Sequence, residues 1–334
     1  MLSTDSTAGT TTNLGGATEI RRLRFSWADL AMKYGLLAVL AGLVIVSQFL
    51  YPRFLDPLNI RNILSQNSPL GIIAVGMTLV MITRGFDLSV GSMYAAGATI
   101  FASLAVAGWP LTLAASVVIG IGLAGGLING LTITRLNVNP FVATLGSTSI
   151  FSGLALLYSH SSPFVVTDQA FTWLGRGAVL EVPVSVWLMA IVFIAGEIVL
   201  SRTTYGRSLY AIGGNDEAAR LAGLRTVLIR TSSYVICGGC AAVAGMIIAS
   251  RLSIGQADIG STMALDAIAV VVIGGTSLMG GEGAIWRSAI GLLIVAVLTN
   301  LLDSLAIDSN YQLVIKGAIV VAAVALDAYA RTRR

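Results

Sequence analysis

A chain of 334 residues is long enough for two soluble domains, but 56% hydrophobic residues, 11% charged residues and a mean hydropathy of +0.86 exclude that class. What remains is an integral membrane protein. The net charge of +4 is spread over short loops and tails, which points to membrane orientation and not to nucleic acid.

The segment before Arg21 is rich in Ser, Thr and Gly, and residues 1–28 are expected to form a disordered cytoplasmic tail, not a cleaved signal peptide. Apolar runs of spanning length, about 20 residues, then recur to the end of the chain. They give ten expected spans, at 31–51, 62–83, 87–108, 110–134, 138–158, 182–200, 229–250, 264–281, 284–302 and 311–328. All belong to one transmembrane domain, 29–330, followed by a basic cytoplasmic tail, 331–334. With both termini inside, fifteen of the 20 basic residues fall on the cytoplasmic side; only Arg53, Arg61, Arg176 and Arg251 fall outside, and Lys316 lies in the last span. The fold class expected is an all-α integral membrane protein of about ten transmembrane helices, N-in and C-in.

Trp27, Tyr51, Trp109, Trp173 and Trp187 lie near span ends, as interfacial anchors do. The single histidine, His160, has no carboxylate or Cys beside it and reads as a solvated loop residue. Cys237 and Cys240 sit in the apolar run YVICGGCAAVAG, where small residues for close helix packing explain them better than redox or metal chemistry.

Four stretches carry polar chemistry. In GMTLVMITRGFDLSVGS, Asp87 and Ser89 stand where a carboxylate caps the third span or braces a gate. In NPFVATLGSTSIFS, Asn139 precedes a helix whose Thr144, Thr148 and Ser152 share one face. That stripe either lines a pathway or bonds to its own helix. In LDAIAVVVIGGTSLMGGEG, Asp266 sits near a span end, and paired glycines flank Thr276 and Ser277, as at an interrupted helix end. DLSVG at 87–91 and SLMGG at 277–281 echo one another faintly, as in an internal repeat.

The fourth stretch, TTYGRSLYAIGGNDEAARLAGLRTVLIR, is a polar island between apolar runs and forms an expected cytoplasmic loop at 203–228. Asn215 is a good N-cap, Glu217 favours a first turn, and Gly223 is a natural stop. The resulting two-turn helix is too short to stand alone and calls for a partner surface.

Taken together, GMTLV, DLSVGS, NPFVATLG, YGRSLYAIGGNDEAARLAGL, LDAIAVVVIGGTSLMGGEG and YQLVIKGAIV resemble the permease subunits of bacterial ABC importers for simple sugars, from about Ser47 to Asp327. The resemblance implies the ABC-importer permease fold in the bacterial inner membrane, with the permease dimerised around a central pathway. It also implies a nucleotide-binding ATPase subunit and a periplasmic or lipid-anchored sugar-binding protein as partners. It assigns ATPase coupling to Gly206, Arg207, Asn215, Glu217, Ala218, Ala219, Arg220 and Gly223. A pathway or gate role is expected for Asp87, Ser89, Asn139, Thr144, Thr148, Asp266, Thr276 and Ser277. The chain departs from the family at Arg84 and Arg287, where Gly is usual, and at Ala264, where Glu is common.

No GxxxxGK[ST] loop occurs, so the chain is expected to bind no cofactor of its own and to leave ATP and Mg to the partner; it is not itself an enzyme. The rival class, an ion-coupled secondary transporter of a small polar solute, calls for a mid-membrane carboxylate relay. The acidic residues here gather at span ends, with Glu197 the nearest exception.

Overall fold

The computed structural model describes residues 27–332; the tails expected at 1–28 and 331–334, and the side chain of Trp27, fall outside the described residues or at their edge. Every element after α1 belongs to one compact unit that begins at Leu36. In order the helices are α1 (Trp27–Leu50), α2 (Pro57–Ile82), α3 (Val90–Val106), α4 (Leu111–Arg135), α5 (Pro140–Ser159), α6 (Gln169–Arg176), α7 (Val184–Arg202), α8 (Thr204–Gly214), α9 (Asp216–Leu221), α10 (Thr226–Leu252), α11 (Met263–Ile273), α12 (Ile285–Ser304) and α13 (Ser309–Thr332). Two minimal antiparallel pairs join loops: β1 (Phe164–Val165) with β4 (Ile254–Gly255), and β2 (Ala178–Val179) with β3 (Val182–Pro183).

Among the described residues, α2, α4, α5, α7, α10 and α12 are long and apolar enough to cross a membrane, and Gly35–Leu50, α3 and α11 are shorter apolar helices. The chain is mostly helical, as expected, and six of these helices have the length and composition of a membrane span, against the ten spans expected.

Helix starts follow from local chemistry. Asp56 and Asn139 each accept a backbone N–H two residues on, at 2.9 Å, and each is followed by a proline whose missing N–H costs nothing at that position. Pro69, inside α2, leaves the Ser65 carbonyl without its usual donor; the Ser68 hydroxyl donates to it instead, at 2.9 Å.

Helix α10 is the centre of the bundle and packs on α4, α3 and α2. The approach is close because the facing residues are small. On α4, Gly122, Gly126 and Gly130 form a stripe, and a β-carbon on Gly126 would lie 2.2 Å from the Tyr234 carbonyl oxygen of α10. On α2, a β-carbon at Gly76 would lie 2.7 Å from Cys237 Cα. Cys237 is buried and both cysteines are free thiols, in keeping with a packing role.

One expected span is shorter than the apolar pattern suggests. The run at 264–281 is helical only to Ile273, because Gly275 adopts φ +80 and Thr276 N–H donates back to Val271 O while Gly275 N–H donates to Val272 O. This is a Schellman stop. Helix α2 ends identically, with Arg84 at φ +62, Gly85 N–H on Val80 O and Arg84 N–H on Met81 O. The echo between 87–91 and 277–281 thus follows two reversals of the same backbone form.

Candidate functional site

The polar island folds into two helices. Thr203 Oγ1 accepts the Gly206 N–H at 3.2 Å and starts α8. Gly206 sits where a β-carbon would meet the Leu200 carbonyl oxygen at 2.0 Å, so the chain turns tightly out of α7. Gly206, Leu209, Ile212 and Gly213 form the buried face of α8. Its tyrosines tie it down: the Tyr210 hydroxyl donates to Gly283 O at 2.7 Å, and Tyr205 shares a 2.8 Å hydrogen bond with Ser232. Burial, with Glu197 nearby adding to it, pushes the Tyr210 phenol above its ordinary range, so it stays a proton donor.

Asn215, extended at φ −156, breaks the helix and caps the next, its Oδ1 accepting Ala218 N–H at 3.0 Å. Gly223 at φ +86 ends α9, with Leu224 N–H on Ala219 O and Gly223 N–H on Arg220 O. Between these stops Ala219 faces inward, whereas Glu217, Ala218 and Arg220 are exposed. Leu221 is 80% exposed, a bare apolar side chain on a charged two-turn surface. Behind α9 lies a polar recess of 440 Å³ whose walls include Asn137, Asp216, Glu217, Arg220 and Arg230. Arg207 is exposed on α8.

The C-terminal end of α8 meets both reversals backbone to backbone. Gly281 N–H donates to Ile82 O at 2.9 Å. A β-carbon on Gly213 would stand 1.8 Å from that same oxygen and 2.5 Å from Gly281 N. Arg84 closes the junction, its Nε donating to Gly213 O at 2.7 Å and its Nη2 to Gly214 O at 2.6 Å.

Two cavities lie along α3, α5 and α11. The one nearer α8 has a volume of 430 Å³ and is walled by Arg84, Phe86, Asn139, Phe141, Leu265, Ile268 and Leu278 among others. The one farther along α5 has a volume of 220 Å³ and presents Ser92, Thr148, Ser152, Asp258 and Ser261. Leu88 lines both and is the apolar divide between them. A separate 440 Å³ cleft between α3, α4, α5 and α10 is almost wholly apolar, with Met93, Phe151 and Leu154 in its wall.

The residues expected along a pathway divide accordingly. Asn139 and Thr148 reach the cavities, one in each. Asp87 and Ser89 are fully buried behind them: Asp87 Oδ1 accepts the Ser89 N–H at 3.0 Å and the Ser89 hydroxyl at 2.6 Å, and Asn129 of α4 donates to Ser89 Oγ at 2.7 Å. Thr144 is buried with its hydroxyl on Pro140 O at 2.8 Å. Ser277 Oγ accepts Met279 N–H at 3.0 Å and, like Thr276, is buried in the loop after α11. Asp266, in the first turn of α11, accepts from the Thr262 hydroxyl at 3.2 Å. Glu197 accepts the Trp286 N–H at 3.1 Å and so caps α12 from across the α7 interface. Asn129, Asp258 and Leu221 carry no local signal that singles them out; the visible trace of the first is a lone amide in the apolar run LAGGLINGL.

Residues 59–324 match the family described as "Branched-chain amino acid transport system / permease component". The chain belongs to this family. Among relatives of this permease, the ribose import permease protein of Bacillus subtilis (strain 168) is 42% identical over 312 residues, covering 93% of this chain and 96% of that protein. The ribose import permease protein of Escherichia coli (strain K12) is 40% identical over 310 residues, covering 92% and 96%. The galactose/methyl galactoside import permease protein of the same organism is 35% identical over 322 residues, covering 90% and 95%. No solved structure matches the permease. Its family and its apolar helices make it a multi-pass protein of the inner membrane.

Proposed function

We propose that this permease is the transmembrane subunit of an ATP-driven importer that carries a monosaccharide across the inner membrane by alternating access. The observation that carries the reading is the α8–α9 hairpin: α9 is capped at both ends and presents Leu221 bare, while α8 is bonded through Arg84 to the α2–α3 reversal and through Tyr210 to the loop after α11, both of which contribute to the wall of the 430 Å³ cavity. A separate nucleotide-binding ATPase, using ATP and Mg, docks on α9, and its closure moves α8 against those reversals. Ten spans with both termini inside put the hairpin in the cytoplasm, the side where the Arg-rich loops gather.

A second copy of the permease completes the pathway by covering the α3–α5–α11 face, and a periplasmic or lipid-anchored binding protein delivers the sugar. Weak hydroxyl contacts, such as Thr148 and Ser152 offer, suit a pathway that must release its cargo. Two ribose import permeases at 40% identity or above make ribose the first sugar to try.

The use of Glu197 as a helix cap removes it from any carboxylate relay, which counts against ion coupling. The test is radiolabelled ribose uptake into liposomes holding permease, ATPase and binding protein. Uptake should require internal ATP; uptake driven by an ion gradient alone would overturn the proposal.

A further inference from the structure

Position 84 is a left-handed stop in α2, the kind of site glycine fills without strain. This chain instead carries arginine there, at φ +62. The side chain is used: it lies over Gly280, where a β-carbon would come within 2.4 Å of Arg84 Cγ, and its two donors reach Gly213 O and Gly214 O. Those carbonyls belong to the last turn of α8, which carries unsatisfied acceptors and the negative end of the helix dipole. A guanidinium with two directed donors is the side chain best shaped for the pair, and lysine is not its equivalent.

Arg84 also borders the 430 Å³ cavity, with Asn139 and Phe141 in that wall. Three residues on, Asp87 opens the buried network to Ser89 and Asn129 that fixes the start of α3. One residue therefore joins the end of the coupling helix to the cavity wall, in the same reversal whose Asp87 holds the root of α3.

We infer that Arg84 is a positioning residue for energy coupling: a strut through which movement of α8 is delivered to the cavity wall. The inference rests on the importer reading above. When α8 shifts, the two hydrogen bonds pull the α2–α3 reversal with it. Without them, the Tyr210 bond to Gly283 O still ties α8 to the loop after α11, and that loop holds α2 through the Gly281 N–H bond to Ile82 O. The α2–α3 reversal beyond Ile82 is then free to lag.

The test uses the assembled complex with Arg84→Gly and Arg84→Lys. Glycine removes the strut and suits the left-handed backbone, so assembly and folding should hold. Two readouts are taken: ribose moved per ATP hydrolysed, and the ATP-dependent change in thiol labelling of Phe141→Cys in a background with Cys237→Ala and Cys240→Ala. For Arg84→Gly, ATP hydrolysis should persist while both readouts fall by about tenfold, a coupling loss of ordinary size between two sites. Arg84→Lys, which keeps the charge and a single point donor, should retain more of both than glycine does. If Arg84→Gly leaves ATP-dependent labelling unchanged, or if it loses ATP hydrolysis in proportion to transport, the strut is refuted. If, with Arg84 in place, ATP changes labelling of the Phe141→Cys thiol yet no ribose moves, the sugar assignment is refuted and the labelling arm decides the strut.

Discussion

Gly213 and Gly214 are adjacent at the end of α8 but differ completely in surroundings, which gives a sharp test of the hairpin's anchorage. A β-carbon at Gly213 would stand 1.8 Å from Ile82 O and 2.5 Å from Gly281 N, whereas one at Gly214 would meet nothing within 4 Å. Alanine at either site gains up to about 1 kcal/mol of helix propensity over glycine. At 213 the gain is outweighed. Ile82 O must recede by more than about 1 Å to reach ordinary contact, forcing apart groups now hydrogen-bonded at 2.9 Å. Losing that bond costs about 0.5–1.5 kcal/mol, and overpacking against backbone adds about 1–3 kcal/mol. Gly213→Ala should therefore be destabilised by about 1.5–4.5 kcal/mol relative to Gly214→Ala, after the shared propensity gain is cancelled. Thermal unfolding of the two purified variants, followed by ATPase co-elution, measures the difference. Equal melting temperatures and equal co-elution would refute the close backbone junction between α8 and the helix reversals.

Leu221→Asp should weaken ATPase binding by about thirtyfold, a hot-spot-sized loss, while leaving the melting temperature of the permease alone unchanged, because Leu221 touches little of its own chain; co-elution and unfolding separate the two effects. Asn129→Ala should lower unfolding stability by about 1–3 kcal/mol, since it strips the Ser89 hydroxyl of a buried donor. Thr148→Val keeps the shape of the 220 Å³ cavity but removes a hydroxyl from its wall, and should lower the rate of ribose uptake without changing basal ATP hydrolysis; an equal fall in both would place Thr148 elsewhere in the mechanism.

How much of the fold and the site is legible in the sequence depends on whether the cause is local. The caps at Asn215 and Gly223 are readable because an amide three residues from a free N–H and a glycine at φ +86 need only their neighbours. The glycines at 274–275 signal an interrupted helix, yet the apolar count carries the expected span on to 281, because composition does not see a Schellman stop. Pathway residues are harder. Thr144 and Thr148 look alike in sequence and both hydroxyls bond backward within the helix, at 2.8 Å to Pro140 O and Thr144 O; only tertiary packing puts Thr148 in a cavity wall and buries Thr144. Asp87 reads as the cap of the third span; its Oδ1 does accept the Ser89 N–H, but the helix itself begins at Val90. The partner that closes over the carboxylate, Asn129, lies 42 residues away on α4. The exposure of Leu221 and the reach of Arg84 to α8 are tertiary facts with no trace in local pattern.

The central claim is that the α8–α9 hairpin receives work from a separate ATPase and turns it into movement of sugar through this chain. Ribose uptake into liposomes containing permease, ATPase and binding protein tests it most directly, with and without internal ATP and with a proton or sodium gradient in its place. The account predicts uptake only with hydrolysable ATP, and a fall in uptake when Leu221→Asp weakens ATPase docking about thirtyfold. Uptake that proceeds on an ion gradient with no ATP, or that survives without the ATPase, would contradict it.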